Sequence, residues 1–518
     1  MRLLVPDLVI RDADDPTPRA EAVLVDGRDI VAVGPESELP PGAERIRLPG
    51  QLLMPGFVNA HQHGRGISNT QLGYADDILE RWSVAKRRRR PMDPYANTLL
   101  AAASMIAAGV TSTIQANSPY GSGDYGAEIR GSIAAYDHAG MRAMIGVAAM
   151  DRAHFLYPAE ADAVLAGQGG PAGAAAQAPV PPIYAGDTAA TMSLMRELLT
   201  ELGDHPRLSL AYAPAGPQWV SDDMMRELAS DARRLGLALH MHGLESWSQV
   251  RTLQVIYPEG FLAHLETLGA LGPLTSIGHA VWLSEADLAL AARHGVTLVR
   301  NPGSNLRLRA GIAPLADYLS AGVRVAIGTD NTALADDEDL LGELRLAWRL
   351  AGDPDWRGPA PPGPAALLRM ATRSGAAAMG LDGVVGAIRA GFRADLVALD
   401  LDGIRGAYTD PELPLLAVVM ARAGARHVRM TMCDGEILYR DGAFVRLDVE
   451  AVRAAAAASA RASEVPLTGP VLETLSALTA VADRHYAALA EPDASAGWTP
   501  LARNWHPMLR PKSVTEVK

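Results

Sequence analysis

The chain of 518 residues has a single cysteine, Cys433, and only three lysines, Lys86, Lys512 and Lys518. One cysteine excludes an intramolecular disulfide and any thiolate-rich metal site, and it suits a reducing compartment. Aromatic residues make up 5% of the chain, so each one near a candidate site carries weight. Positive charge is also short: the formal net charge of −12 argues against a general nucleic-acid binder. One basic run, Lys86 to Arg90, is the exception, and it reads as a solvated helix face or loop. No uninterrupted apolar stretch is long enough to cross a bilayer, because the Ala-rich segments carry charges or prolines. The start, Met1-Arg-Leu-Leu-Val-Pro-Asp7, lacks the apolar core of a signal peptide. A cytoplasmic globular protein is expected, and its length fits one large domain plus a smaller one.

Residues 1 to about 52 read as short strands joined by turns. Leu8-Val-Ile10 and Ala22-Val-Leu-Val25 precede Asp26-Gly27, a hairpin signal, and Ile30-Val-Ala-Val33 follows. From Leu53 apolar runs alternate with helical stretches. Candidate strands are Phe57–His61, Thr111–Gln115, Arg142–Ala148, Arg207–Tyr212, Leu237–His242, Thr275–His279, Val296–Arg300 and Val323–Thr329. Helices are expected at Pro94–Ala108, Asp222–Leu235 and Glu285–His294, several opening on Ser or Asp caps. Eight strand–helix repeats predict a (β/α)8 barrel over 53–384, with a doubly wound open sheet as the alternative. An Ala-, Gly- and Pro-rich insertion at about 159–187 reads as a loop at the barrel mouth. Short strands return with Gly391-Phe-Arg-Ala-Asp395-Leu-Val-Ala-Leu399 and His427-Val-Arg-Met-Thr-Met432. Segments 1–52 and 385–447 are therefore expected to share a small β-sandwich domain, with 448–518 a helical extension.

Chemistry enters at Met54-Pro-Gly-Phe-Val-Asn-Ala-His61-Gln-His63-Gly. On a strand, residues i and i+2 share a face, so both imidazoles point the same way. A His-x-His pair alone is weak evidence, but several other candidate strands end in a potential ligand. His240-Met-His242 closes strand five, His279 strand six, and Asp330 follows strand eight. Active sites of such barrels lie at the C-terminal strand ends, so fold and chemistry point to one place. His61, His63, His242 and Asp330 supply the three nitrogens and one oxygen of a mononuclear catalytic site. Glu245, three residues past His242, is placed to carry protons, and His279 to orient water. His240 is assigned to core packing.

The segments Pro55-Gly-Phe57 with His61-Gln-His63, His240-Met-His242-Gly-Leu-Glu245, Gly278-His279-Ala280, Asn301-Pro-Gly-Ser304-Asn305 and Gly328-Thr-Asp330 resemble the amidohydrolase superfamily. The branch they resemble most is that of triazine chlorohydrolases and guanine, cytosine and adenosyl-homocysteine deaminases. The resemblance runs from about Leu8 to Phe444 and implies metal ligation by His61, His63, His242 and Asp330. It implies catalytic roles for Glu245, His279 and Asp330, and a divalent ion, zinc ahead of iron. Binuclear relatives bridge two metals with a carboxylated lysine or a glutamate. None of the three lysines is placed to line a barrel, and the end of strand four, Tyr212-Ala-Pro-Ala-Gly-Pro217, offers no glutamate. One metal ion is expected.

The expected function is hydrolysis by activated water that displaces an amino, alkylamino or halide group from an N-heterocycle. Hydrolysis of a non-peptide amide, urea or carbamate is the alternative, and an inactive scaffold a third. Gln115, Gln218, Trp219 and Trp282 are the expected substrate contacts, with Trp82, Tyr120, Asn331 and Arg65 as further candidates. A small-molecule substrate is expected, with no nucleic-acid or membrane partner, and the resemblance implies a homo-oligomer.

Overall fold

The computed structural model describes residues 1–85, 91–152, 157, 184–352 and 360–463, together with 476, 479–481, 484 and 501. The basic run at 86–90, most of the 159–187 insertion and most of the chain beyond 463 lie outside the described residues. The strands fall into two eight-stranded sheets. The N-terminal segment forms β1 (Arg2–Val9), β2 (Ala22–Asp26), β3 (Asp29–Gly34) and β4 (Glu44–Pro55). Then come β5 (Phe57–Gln62), β6 (Val110–Ala116), β7 (Arg142–Ala149), β8 (Leu208–Pro214), β9 (Ala238–Gly243), β10 (Thr275–His279), β11 (Thr297–Arg300) and β12 (Arg324–Ile327). Near the C-terminal end lie β13 (Leu396–Asp400), β14 (Val428–Cys433), β15 (Glu436–Arg440) and β16 (Ala443–Phe444).

Strands β5 to β12 neighbour one another in sequence order, and all their pairings are parallel. A doubly wound sheet would reverse its order partway. Instead the two edges meet: Asp330 N donates to His61 O at 3.0 Å, and Gln62 bridges Asp330 in parallel. The barrel closes at this seam. Its interior holds Val58, Ala60, Ile114, Met144, Ala211, Ala238, Val299 and Ala326, while the larger apolar cluster fills the space between strands and helices.

Local chemistry explains the helix boundaries. Ser221 caps Asp222–Leu235 by accepting from Met224 N, and Gly236 ends it in the left-handed region. Ser284 and Asp287 form a reciprocal capping box at the start of Glu285–His294.

The other sheet runs β16-β15-β14-β13-β4-β1-β2-β3, so β13 pairs with β4 and unites the two chain ends. Leu4, Val23 and Ile30 pack with Met430 and Met432, giving a core to this one continuous sheet, where the expected β-sandwich would have two packed sheets. Strand β4 leads straight into β5 with only Gly56 between them, and Gly56 N donates to Asp395 O at 2.8 Å. Beneath the barrel, Arg142 at the start of β7 pairs bidentately with Asp395, 3.0 Å for each bond, and reaches Asp434 at 3.1 Å.

Candidate metal centre

The two histidines of β5 reach the barrel mouth through an irregularity. Val58 and Ala60 point into the barrel, and plain alternation would send His61 outward with Phe57 and Asn59. The β5–β6 register shifts between Asn59 and Gln62. That bulge turns His61 and His63 inward and leaves Gln62 facing Met105 and Tyr136. Gly278 on β10 makes the room: a Cβ there would lie 3.1 Å from the His61 ring.

The structure gathers His61, His63, His242, His279 and Asp330 into one cluster. His63 Nε2 lies 3.1 Å and His61 Nε2 3.4 Å from Asp330 Oδ1, and His242 Nε2 lies 3.2 Å from His63 Nε2. The other ring nitrogens are all engaged. His63 Nδ1 meets Ala116 O at 2.5 Å, His242 Nδ1 meets Ala215 O at 2.8 Å, and His61 Nδ1 meets His240 Nε2 at 2.7 Å. A carbonyl only accepts, so His63 and His242 carry their protons on Nδ1 and present bare Nε2 lone pairs. Burial lowers the pKa of His61, and those of His240 and His242 well below the ordinary imidazole value, so these rings stay neutral.

Lone pairs that face each other and a carboxylate oxygen at 3.1–3.4 Å repel unless a cation sits among them. A tetrahedral ion with bonds of roughly 2.0–2.1 Å has donor–donor edges of about 3.3–3.4 Å. Among the described residues the buried His61 Nε2 has no hydrogen-bond partner. Donor chemistry and spacing thus fit a divalent ion held by three imidazoles and a carboxylate.

His279 differs from those three. Asn305 Nδ2, which can only donate, lies 3.0 Å from His279 Nδ1. That fixes the His279 proton on Nε2 and makes the ring a hydrogen-bond donor toward the centre. Burial pushes its pKa down to about 3, so it remains neutral there. Glu245 is 3% exposed, and its Oε1 lies 3.6 Å from His279 Nδ1. Leu244, in the left-handed region at φ 45°, turns the chain to bring Glu245 back over the strand ends. Ser304 Oγ donates to Asp330 Oδ2 at 2.6 Å, leaving Oδ1 for the histidines.

Two expected substrate contacts are engaged elsewhere. Gln115 alternates with the inward Ile114, and its amide donates to Ser132 in the helix Tyr125–Ala139 at 3.3 Å, away from the mouth. Trp282 donates its indole N–H to Ala310 O at 2.6 Å and packs against Trp247. Asn331 caps the short helix Thr332–Ala335. Gln218 and Trp219 follow β8 just beyond the carbonyl that holds His242. Gln218 is fully buried, yet among the described residues neither atom of its amide has a hydrogen-bond partner, and neither has Trp219 Nε1. Trp82 joins Leu79, Leu308, Ala310 and Leu334 in an apolar patch from the loops after β5, β11 and β12. Arg65 stacks 3.5 Å over Tyr120 and donates to Ser118 O and Pro119 O.

His240 is the clear correction to the sequence reading. It is a link rather than filler: its Nε2 meets His61, and its Nδ1 meets Ser276 Oγ at 2.7 Å. The signal lay in the His-x-His spacing, which put it on the inward face one layer below His242. Ser304 and Asn305 acquire roles that spacing alone does not give.

Comparison with known proteins identifies the family. The amidohydrolase family model matches residues 52–438. A 5-methylthioadenosine/S-adenosylhomocysteine deaminase from Halobacterium salinarum is 31% identical over 472 residues, covering 89% of this chain and 96% of that protein. A 5'-deoxyadenosine deaminase from Methanothermobacter thermautotrophicus is 29% identical over 79% of this chain and 87% of its own length. Among solved structures, an adenosine deaminase from Xanthomonas campestris with bound zinc matches at a TM-score of 0.76 and 26% identity, over 89% of this chain and 98% of that one. An atrazine chlorohydrolase from Arthrobacter aurescens shares the fold at a TM-score of 0.73 and 22% identity, over 89% of this chain and 100% of that one. The chain belongs to the amidohydrolase family and is a metal-dependent hydrolase of carbon–nitrogen bonds other than peptide bonds.

Proposed function

We propose that the protein hydrolytically deaminates a planar N-heterocycle, with an aminopurine nucleoside ahead of a halogenated or alkylamino triazine as substrate. His61, His63, His242 and Asp330 hold one divalent ion, zinc ahead of iron. The observation that carries this is the set of bare imidazole lone pairs crowded on Asp330, beside a buried Glu245 and a proton-donating His279. The aminopurine preference rests on the names of the relatives at 29–31% identity.

A divalent ion held by these residues would activate water electrophilically, lowering its pKa to roughly 7. The chain's own groups do the rest. Asp330, oriented by Ser304, accepts a proton from the attacking water. Glu245 carries the water's other proton to the ring nitrogen next to the carbon under attack, and the proton taken by Asp330 passes on to the leaving amine. His279 donates through Nε2 to the developing oxyanion, its tautomer set by Asn305. Gln218 offers both a donor and an acceptor to the ring edge, and Trp219 and the Trp82 patch supply its apolar walls. We also read the enzyme as a cytoplasmic homo-oligomer that binds neither nucleic acid nor membrane. Among the described residues no helix is long and apolar enough to cross a membrane.

The test is a panel of aminopurine nucleosides, chlorotriazines, amides and ureas, with ammonia, halide and ring absorbance followed on zinc-loaded enzyme. Ammonia release with a shift in ring absorbance supports the proposal. Turnover of acyclic amides or ureas alone replaces it with the second chemistry. Protein purified without chelators that holds no metal overturns both.

A further inference from the structure

The carboxylate at Glu338 lies eight residues beyond Asp330, outside every segment that carries the chemistry above, and is 2% exposed. Its two oxygens are divided between the two sides of the turn that carries Asp330. Oε2 accepts from Thr329 Oγ1 at 2.5 Å, and Oε1 accepts from Thr332 N and Thr332 Oγ1, both at 2.8 Å. Asn59 on β5 completes the lock. Its amide donates to Thr329 Oγ1 at 2.8 Å and to Glu338 Oε2 at 3.2 Å, and its Oδ1 accepts from Thr329 N at 3.1 Å.

We propose that Glu338 is a positioning residue for the metal centre, fixing Asp330 relative to His61 and His63 by clamping the turn across the barrel seam. Asp330 sits in the left-handed region at φ 66°, a conformation held by its surroundings more than by its own preference. Its amide is fixed by His61 O, and one carboxylate oxygen is fixed by Ser304. What remains is the chain on either side: Glu338 takes the Thr329 hydroxyl before Asp330 and the Thr332 amide and hydroxyl after it, while Asn59 ties the Thr329 amide to the strand bearing His61 and His63. A carboxylate suits this place because every group facing it donates. In Glu338→Gln the carboxamide nitrogen must face either the Thr332 N–H or the Asn59 amide, donor against donor, with almost no change in volume.

The inference rests on Asp330 being a ligand, so Asp330→Asn is the control. Zinc retention is measured by competition with a chromogenic chelator, next to circular dichroism, thermal melting and steady-state kinetics. For Glu338→Gln we expect zinc binding weakened by roughly 10–100-fold, the range for lost outer-shell partners. We expect kcat to fall at least tenfold with KM within twofold. Thr332→Val, which keeps the N–H but not the hydroxyl, should give a smaller loss, and Thr332→Ser should behave as wild type. Glu338→Gln protein that melts early yet keeps wild-type zinc affinity and kcat would make Glu338 a fold support only and overturn the inference. If Asp330→Asn also keeps its zinc, the ligand assignment fails with it. If Asp330→Asn loses zinc and Glu338→Gln does not, the clamp alone fails.

Discussion

Charged groups are buried at both ends of this barrel, and the two ends treat them differently. At the N-terminal end Arg142, Asp395 and Asp434 have side chains no more than 5% exposed. There Asp395 Oδ2 takes Arg142 Nε and Ser112, and Oδ1 takes Arg142 and Asp434 N. Burial works against the Arg142 charge, but Asp395 and Asp434 raise its pKa above the ordinary value. At the C-terminal end the ring nitrogens of His61, His63 and His242 are turned on one another and on the Asp330 carboxylate, with His279 beside them. Leu244, His279, Ala280 and Asp330 all take positive φ there. A completed ion network is how a protein joins two domains; an uncompleted one, held in strained backbone, is how it keeps a place for something else.

If that contrast is right, variants at the two ends should fail in different ways. The largest effect is expected for Glu245→Gln, which removes the proton carrier and leaves the ligand set alone. Its kcat should fall by roughly 10²–10⁴ with metal content unchanged, since that is the usual worth of a general acid–base group. Full turnover by metal-loaded Glu245→Gln would sink the assignment. At the other end Arg142→Met removes the guanidinium paired with Asp395. Breaking a buried pair costs about 3–5 kcal/mol, so urea unfolding should move by that order while kcat of the folded protein stays near wild type. Pairing Arg142→Met with Asp395→Leu should recover part of the loss; a double variant as unstable as the sum of the singles would deny the coupling.

A smaller effect is expected at His240, which is buried like the ion network but serves the metal end. His240→Phe removes the partner of His61 Nδ1 while filling the space. Metal affinity should weaken by about 10–100-fold with little change in unfolding free energy. The opposite pattern, stable binding and lost stability, would return His240 to the core-packing role that the sequence suggests.

The sequence is informative where structure is local. All eight barrel strands follow from apolar runs bounded by turn residues, and the helices Asp222–Leu235 and Glu285–His294 from their caps. The residues that cluster at the barrel mouth could be picked out because barrel chemistry gathers at strand ends. What stayed hidden depends on partners far away in the chain. Strand β4 runs through Pro49-Gly50 to Pro55, because β1 and β13 pair on either side and Gly50 absorbs the kink at φ 69°. The bulge after Asn59 is set by β6, so alternation alone misjudges which residues of β5 turn inward. Gln115 looks like a mouth residue until Ile114 claims the inward face. Nothing near Glu338 in sequence marks it, since its partner on β5 lies 279 positions earlier.

The finest test of the contrast is one of pH. Glu343, in the helix Leu340–Leu350, accepts from Gly303 N at 3.0 Å, and burial pushes its pKa up from 4.5 to about 8. The metal end should therefore hold this acid neutral around pH 7. Between pH 5 and 8 the folded state keeps a proton that the unfolded chain has released, so stability should fall as pH rises through that window. One group can impose at most about 1.4 kcal/mol per pH unit. Glu343→Gln keeps the acceptor for Gly303 but cannot ionise, so its stability should fall less steeply than wild type over the same window. Urea unfolding of the two proteins at pH 5, 6, 7 and 8 measures the difference in slope. Parallel profiles would mean that Glu343 is already ionised in the folded protein across this window.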